Sequence, residues 1–159
     1  MPTAPTLARS YEALRPRVLE RVLELRATLD PSLGRLDDAT ARAQIAAVLD
    51  HLGNFIATGD LGLHRGFLHT FLAMRAAEAQ SPASVLAMLV AIGDTAAQVA
   101  QEGAGAGGPA GSDGAELTLL LTRVTASTAR AINDLIAEEL GRRAAQRTEL
   151  ARRAREVKS

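Results

Sequence analysis

The sequence predicts an all-α fold, a bundle of about five helices closed by a long C-terminal one. Three observations carry this. Ala, Leu, Arg and Glu dominate the 159 residues, and all are good helix formers. Apolar residues recur at spacings of three and four, the period of a helix that buries one face. No alternating apolar run is long enough to suggest a half-buried strand. A chain of this length accommodates one domain with a sizeable core.

The first helical pattern covers Thr6 to Leu29 and contains Pro16. A proline there removes a backbone donor and crowds the preceding turn, so a short helix, a break or kink, and a second piece from Pro16 are expected. Asp30-Pro31-Ser32 and Gly34 supply the stop. Asp37 and Asp38 open the next helix at the positive end of its dipole. Its stripe is Ile45, Val48, Leu49, Leu52, Phe55 and Ile56, followed by the turn "ATGDLG". A third helix is expected from Leu61 to Ala79. Ser81-Pro82 then pairs an N-cap with a proline in the first turn, opening a fourth helix to about Gln101. This helix carries Val85, Leu89, Ile92, Ala96 and Val99 on one side, and Gly93 marks a close approach by another helix.

Residues 102–114, "EGAGAGGPAGSDG", read as a flexible low-complexity loop. Gly103, Gly105 and Gly108 match GxGxxG in spacing. That fingerprint needs a strand before it and a helix directly after it, and here a helix precedes, so no dinucleotide site is expected. The last helix should begin near Ala115 and run almost to the end, with Leu117, Leu120, Leu121, Val124, Thr128, Ala131, Ile132 and Leu135 on its apolar face.

The division that follows is a domain over 1–141 and a basic helical extension over 142–159. The extension holds seven basic residues against Glu149 and Glu156, a charge of +5 that leaves −5 on the rest of a neutral chain. Ile136, Leu140, Arg143, Arg147, Leu150, Ala154 and Val157 follow one another at spacings of four and three. They outline a coiled-coil seam with two arginines at core positions, for which a dimer or relay role is expected. No aromatic residue stands near this tail to stack bases, so contact with nucleic acid or anionic membrane is not expected.

The chain has no cysteine, which excludes disulfides and thiolate metal sites. The N-terminus lacks the apolar core of a signal peptide. The longest apolar run, Val85 to Gly93, falls short of a membrane span. A cytoplasmic location without a transmembrane segment is expected. No serine sits in a Gly-x-Ser-x-Gly setting, and Glu138-Glu139 lie along a solvated face, so no catalytic set is assigned.

Residues 51–71, "HLGNFIATGDLGLHRGFLHTF", hold every histidine and phenylalanine of the chain. On the third helix His64 falls within the apolar arc of Phe67, Leu68, Phe71, Leu72 and Met74. His69 is turned about 140° away from His64, and His51 lies at the edge of its own helix's stripe. Such a placement separates the histidines, and no Glu-x-x-His motif is present, so no metal site is expected. His64, Phe67, Phe71 and Arg75 remain the candidate ligand-binding set. Packing is the expected role for the rings, and haem or a planar apolar molecule held by His64 is the alternative. Arg75 is expected to pair with Glu78 at i+3, with an anion site as its alternative.

Between His64 and Gln101 the stretch "RGFLHTFLAMRAAEAQSPASVLAMLVAIGDTAAQVA" resembles the central helix pair of the N-terminal sensor domains of stressosome regulators, the STAS-containing co-antagonists. The shared features are an arginine late in one helix (Arg75), a short turn, and a helix opening with small residues, here "SPASVLAML". The resemblance covers residues 10 to 141. It implies a globin-like domain without haem or other cofactor, which homodimerises and relays a signal through its last helix. Ala115 to Val157 fits that relay helix in length. In the family an output domain follows, whereas this sequence stops at Ser159. The function expected is therefore a non-catalytic sensory or regulatory domain in stress signalling that acts through protein partners.

Overall fold

The structure, a computed structural model, describes residues 3–104 and 109–158. Over these the chain is all-α, with six helices and no strand among the described residues: α1 (Ala4–Leu29), α2 (Pro31–Gly34), α3 (Asp38–Thr58), α4 (Leu61–Ala77), α5 (Pro82–Ala104) and α6 (Pro109–Lys158). The capping signals act as their chemistry requires. The Asp37 carboxylate accepts from the Thr40 amide at 2.8 Å and Asp60 from Leu63 at 3.0 Å. Ser81 Oγ accepts from the Ser84 amide at 3.1 Å. Gly59, at φ 64°, closes α3 in the left-handed region that favours glycine.

Two expectations about boundaries are corrected. The expected break at Pro16 is absent: α1 runs through it as one helix of 26 residues. Tyr11 lies before the proline and Val18 and Val22 after it, all buried, so both halves are held by one core. Arg15, next to the proline, reaches Asp50 of α3 at 2.6 Å. Tertiary packing outweighs the local cost of the missing donor. Asp30 ends α1 and also caps the four-residue α2, an added element that the stop signal concealed.

The second correction concerns the Gly-rich segment. Glu102–Ala104 are the last turn of α5, and α6 begins at Pro109 rather than near Ala115. Gly105 and Gly108 lie outside the described residues. A Cβ at Gly114 would stand 2.9 Å from the Ala104 nitrogen and 3.1 Å from the Ala100 carbonyl oxygen. This glycine therefore lets two helix backbones touch. Glu102 is bound by Arg21 at 3.0 Å and Arg17 at 3.2 Å, which fixes the end of α5 to α1.

The central pair is α5 and α6. Gly93 meets Thr125 and Ala104 meets Gly114, the same interval on both helices, so the two run antiparallel and side by side. The α5 stripe Val85, Leu89, Ile92, Ala96 and Val99 is buried, as expected. By length and composition α5 is apolar enough to cross a membrane, unlike the shorter run counted in the sequence, and half of that window is buried inside the bundle. α1 packs against this pair and carries α3 on it, while α4 bridges α3, α5 and α6 with lighter packing. Of the α3 stripe, Phe55 alone is half-buried.

Beyond the bundle, α6 continues as a single helix. Of its 50 residues, those from Gly141 onward are exposed apart from the half-buried Glu149. At a rise of about 1.5 Å per residue this segment extends roughly 25 Å.

Candidate functional site

The site is built where α3, α4 and α6 meet. His64 enters from the first turns of α4, on the arc that also buries Leu68, Phe71 and Arg75. His51 comes from the edge of the α3 stripe, a position that faces a neighbouring helix. Their rings meet: His51 Nε2 and His64 Nδ1 are 2.6 Å apart. The ring planes are nearly parallel, at 9°, with centroids 4.9 Å apart. The nitrogens are thus the atoms of closest approach, as in an edge-to-edge hydrogen bond.

The expectation that the histidines are kept apart is therefore corrected for two of them. A helical wheel compares residues on one helix and is blind to a partner on the next. His69 is exposed, as its angle predicts.

The remaining partners set the direction of the hydrogen bonds. The Thr128 hydroxyl donates to the Val124 carbonyl at 2.8 Å. Its oxygen accepts from His64 Nε2–H at 3.2 Å. His64 Nδ1 is then unprotonated and accepts from His51 Nε2–H. The result is a one-way relay, His51 to His64 to Thr128 to the backbone, in which both rings are neutral. Burial holds the His51 pKa down to about 4, with the neighbouring His64 a smaller cause. Burial lowers that of His64 as well.

Around the relay the rings form a ladder. Phe67 lies on His51 with centroids 3.9 Å apart and planes at 7°. Phe55 tilts against His64 at 5.1 Å. Phe67 and Phe71 follow at 5.4 Å, and the Arg75 guanidinium sits 5.2 Å from the Phe71 centroid. Arg75 is 6% exposed and pairs with Glu78 at 3.2 Å, the i+3 partner the spacing predicts. The candidate set His64, Phe67, Phe71 and Arg75 is thus brought together. The cavity beside it is about 10 Å³, bordered by Val48, Leu89, Gly93, Thr125 and the histidines. That is about the space one water needs. The rings pack on one another, and a haem would have to displace them.

Thr128 was legible as a polar residue inside the apolar face of α6, but its partner was not. Replacing it with valine keeps the shape and removes the acceptor, leaving His64 Nε2–H buried and unpaired. Thr128→Val is expected to lose about 1–3 kcal/mol of stability in urea denaturation, the cost of one orphaned buried donor.

The second feature with chemical content is the free half of α6. An ion-pair ladder stiffens it: Arg143 to Glu139 at 2.8 Å, Arg152 to Glu149 at 2.9 Å, Arg153 to Glu149 at 2.7 Å, with Arg142–Glu139 and Arg152–Glu156 besides. Exposed pairs of this kind, at spacings of three and four, each contribute little alone but together support a helix without tertiary contacts. Four of the tail's seven basic residues are engaged in this way. Leu140, Leu150 and Val157 are 60%, 65% and 87% exposed, and Ala154 is exposed as well. Ile136, placed with them by its spacing, instead packs half-buried against the bundle core.

No family model matches the chain, and neither a curated protein nor a solved structure is significantly similar to it.

Proposed function

We propose that this chain is a non-catalytic regulatory domain that acts through protein contacts, with the free half of α6 as its contact element and a second copy as its partner. The observation that carries the reading is the contrast within one helix. The first half of α6 is locked into the core, while its continuation keeps an apolar seam uncovered. Continuous with the core, such a helix transmits a change in bundle packing to whatever is bound along it. The sequence resemblance to stressosome sensor domains agrees with this reading, and stress signalling is the setting we propose from it.

The seam selects an orientation. Leu140, Arg147 and Ala154 occupy one set of core positions, and Arg143, Leu150 and Val157 the other. Two parallel copies in register would set Arg147 against Arg147 in the core. Antiparallel copies set Leu140 against Val157, Arg147 against Leu150 and Arg143 against Ala154, so no arginine faces another. The chain has no cysteine of its own, which makes this directly measurable. A chain carrying Arg143→Cys and Ala154→Cys is expected to oxidise to a covalent dimer, while Leu150→Cys alone links poorly. Linking through Leu150→Cys alone would show parallel pairing, and no linking in either chain would end the reading.

A further inference from the structure

We propose that α4 is an acid-releasable helix, latched to the bundle at neutral pH by the His51–His64–Thr128 relay and freed when that relay takes up a proton. The inference stands on the bundle alone and does not require self-association through α6.

At 2.6 Å the two histidine nitrogens have room for one proton between them. Protonating His64 Nδ1 sets two N–H donors against each other across that gap. Protonating His51 Nδ1 leaves the His51–His64 hydrogen bond in place but puts a charge on a half-buried ring, which desolvation disfavours. Neither charge finds an opposite partner in place. The residues around the pair and its cavity are Val48, Leu52 and Phe55 of α3, Phe67 and Leu68 of α4, Leu89 and Gly93 of α5, and Thr125 and Thr128 of α6, none of them charged. Charged side chains next in sequence are engaged elsewhere, Asp50 with Arg15 and Arg65 with Glu138. The adjoining cavity holds about one water, too little to hydrate an imidazolium. The charge is relieved by opening the contact.

The helix that gives way is α4. Its buried side chains are His64, Leu68, Phe71 and Arg75, two of them polar, and its packing against the other helices is lighter than that of α1, α3 or α5. Gly59 precedes it at φ 64° with open space around its Cβ position, a natural hinge. Leu61, Leu63 and Met74 of α4 are already exposed. Release adds Leu68 and Phe71 to them, so acid uncovers an apolar helix face.

The direction of the pH effect follows from the protons. When latched, His51 titrates near about 4 against 6.5 for a free imidazole, because burial disfavours its charge. Between those values the released state binds the extra proton, so the latch is fully stable above about 6.5 and weakens as pH falls toward about 4. From His51 alone, the opening equilibrium rises roughly 30-fold by about pH 5.

Hydrogen exchange resolved by helix, on the full chain and corrected for intrinsic rates, tests this between about pH 7 and about pH 4.5. Protection in α4 is expected to fall at least tenfold more than in α1 or α5, and His51→Gln, which keeps a donor and cannot titrate, should flatten the effect. Protection of α4 that stays constant, opens together with α1 and α5, or falls equally in His51→Gln would overturn the proposal. If that variant does not fold at neutral pH, imidazole resonances of the unmodified chain replace it. Depressed histidine titrations that coincide with α4 opening support the latch, and titration near the free value overturns it.

Discussion

Tyr11→Ala is expected to lose about 3–5 kcal/mol, the usual cost of removing a fully buried aromatic ring. Tyr11, the single tyrosine, is 1% exposed and lies where α1 crosses α3. Its hydroxyl donates to the Leu49 carbonyl at 2.6 Å, and burial raises its pKa far above the ordinary tyrosine value. Gly53 makes the room: a Cβ there would stand 3.1 Å from Tyr11 Cε1. Tyr11→Phe keeps the ring and loses one hydrogen bond, so about 1 kcal/mol is expected. Gly53→Ala should be harmful beside Tyr11 and stabilising in the Tyr11→Ala background, where the ring is gone and alanine's helix preference of about 1 kcal/mol is free to act. Urea denaturation of the four chains measures this coupling. For a domain stable by about 5–15 kcal/mol, Tyr11→Ala is close to unfolding.

Gly93→Ala is expected to destabilise the central pair by about 2 kcal/mol net. An added Cβ would lie well inside contact distance of Thr125 Oγ1 and 3.1 Å from its Cβ and Cγ2. Thr125 cannot swing aside cheaply. It is β-branched, buried, and donates to the Leu121 carbonyl at 2.8 Å. Overpacking of this kind costs about 1–3 kcal/mol or more, against the gain of about 1 kcal/mol for replacing glycine in a helix. Thr125→Ala clears the space, so Gly93→Ala combined with Thr125→Ala should recover most of the loss. Thermal melts of the single and double variants decide it. If Gly93→Ala alone raises the melting temperature, α5 and α6 do not approach as closely as described.

Both predictions rest on contacts between helices, and that is where legibility in the sequence ended. Features internal to one helix were readable: the buried stripes of α3 and α5, the caps at Asp37 and Ser81-Pro82, and the Arg75–Glu78 pair. Gly93 announced a close approach by its smallness, but nothing local named Thr125 as the residue approached. His51 and His64 were set apart because each was projected on its own helix, although a residue at the edge of a stripe is the one best placed to touch a neighbour. Local rules also overstated two breaks. Pro16 costs a hydrogen bond wherever it stands, but Tyr11 and Val18 on either side are held by the same core. The glycines before Ala115 signalled flexibility, whereas Gly114 serves the contact between α5 and α6. The seam on the far half of α6 was legible in its spacing, and the structure added that Leu140, Leu150 and Val157 are uncovered.

The uncovered seam, on this reading of the protein, joins two copies of the chain. Light scattering after size-exclusion chromatography, at tens of micromolar protein, reads the state of association. Twice the mass of a single chain is expected for the unmodified protein. For Leu150→Arg, which sets arginine against arginine across the seam without touching the bundle, the mass of a single chain is expected, with unchanged helical content and melting temperature. A single-chain mass for the unmodified protein, or a dimer that survives Leu150→Arg, would rule it out.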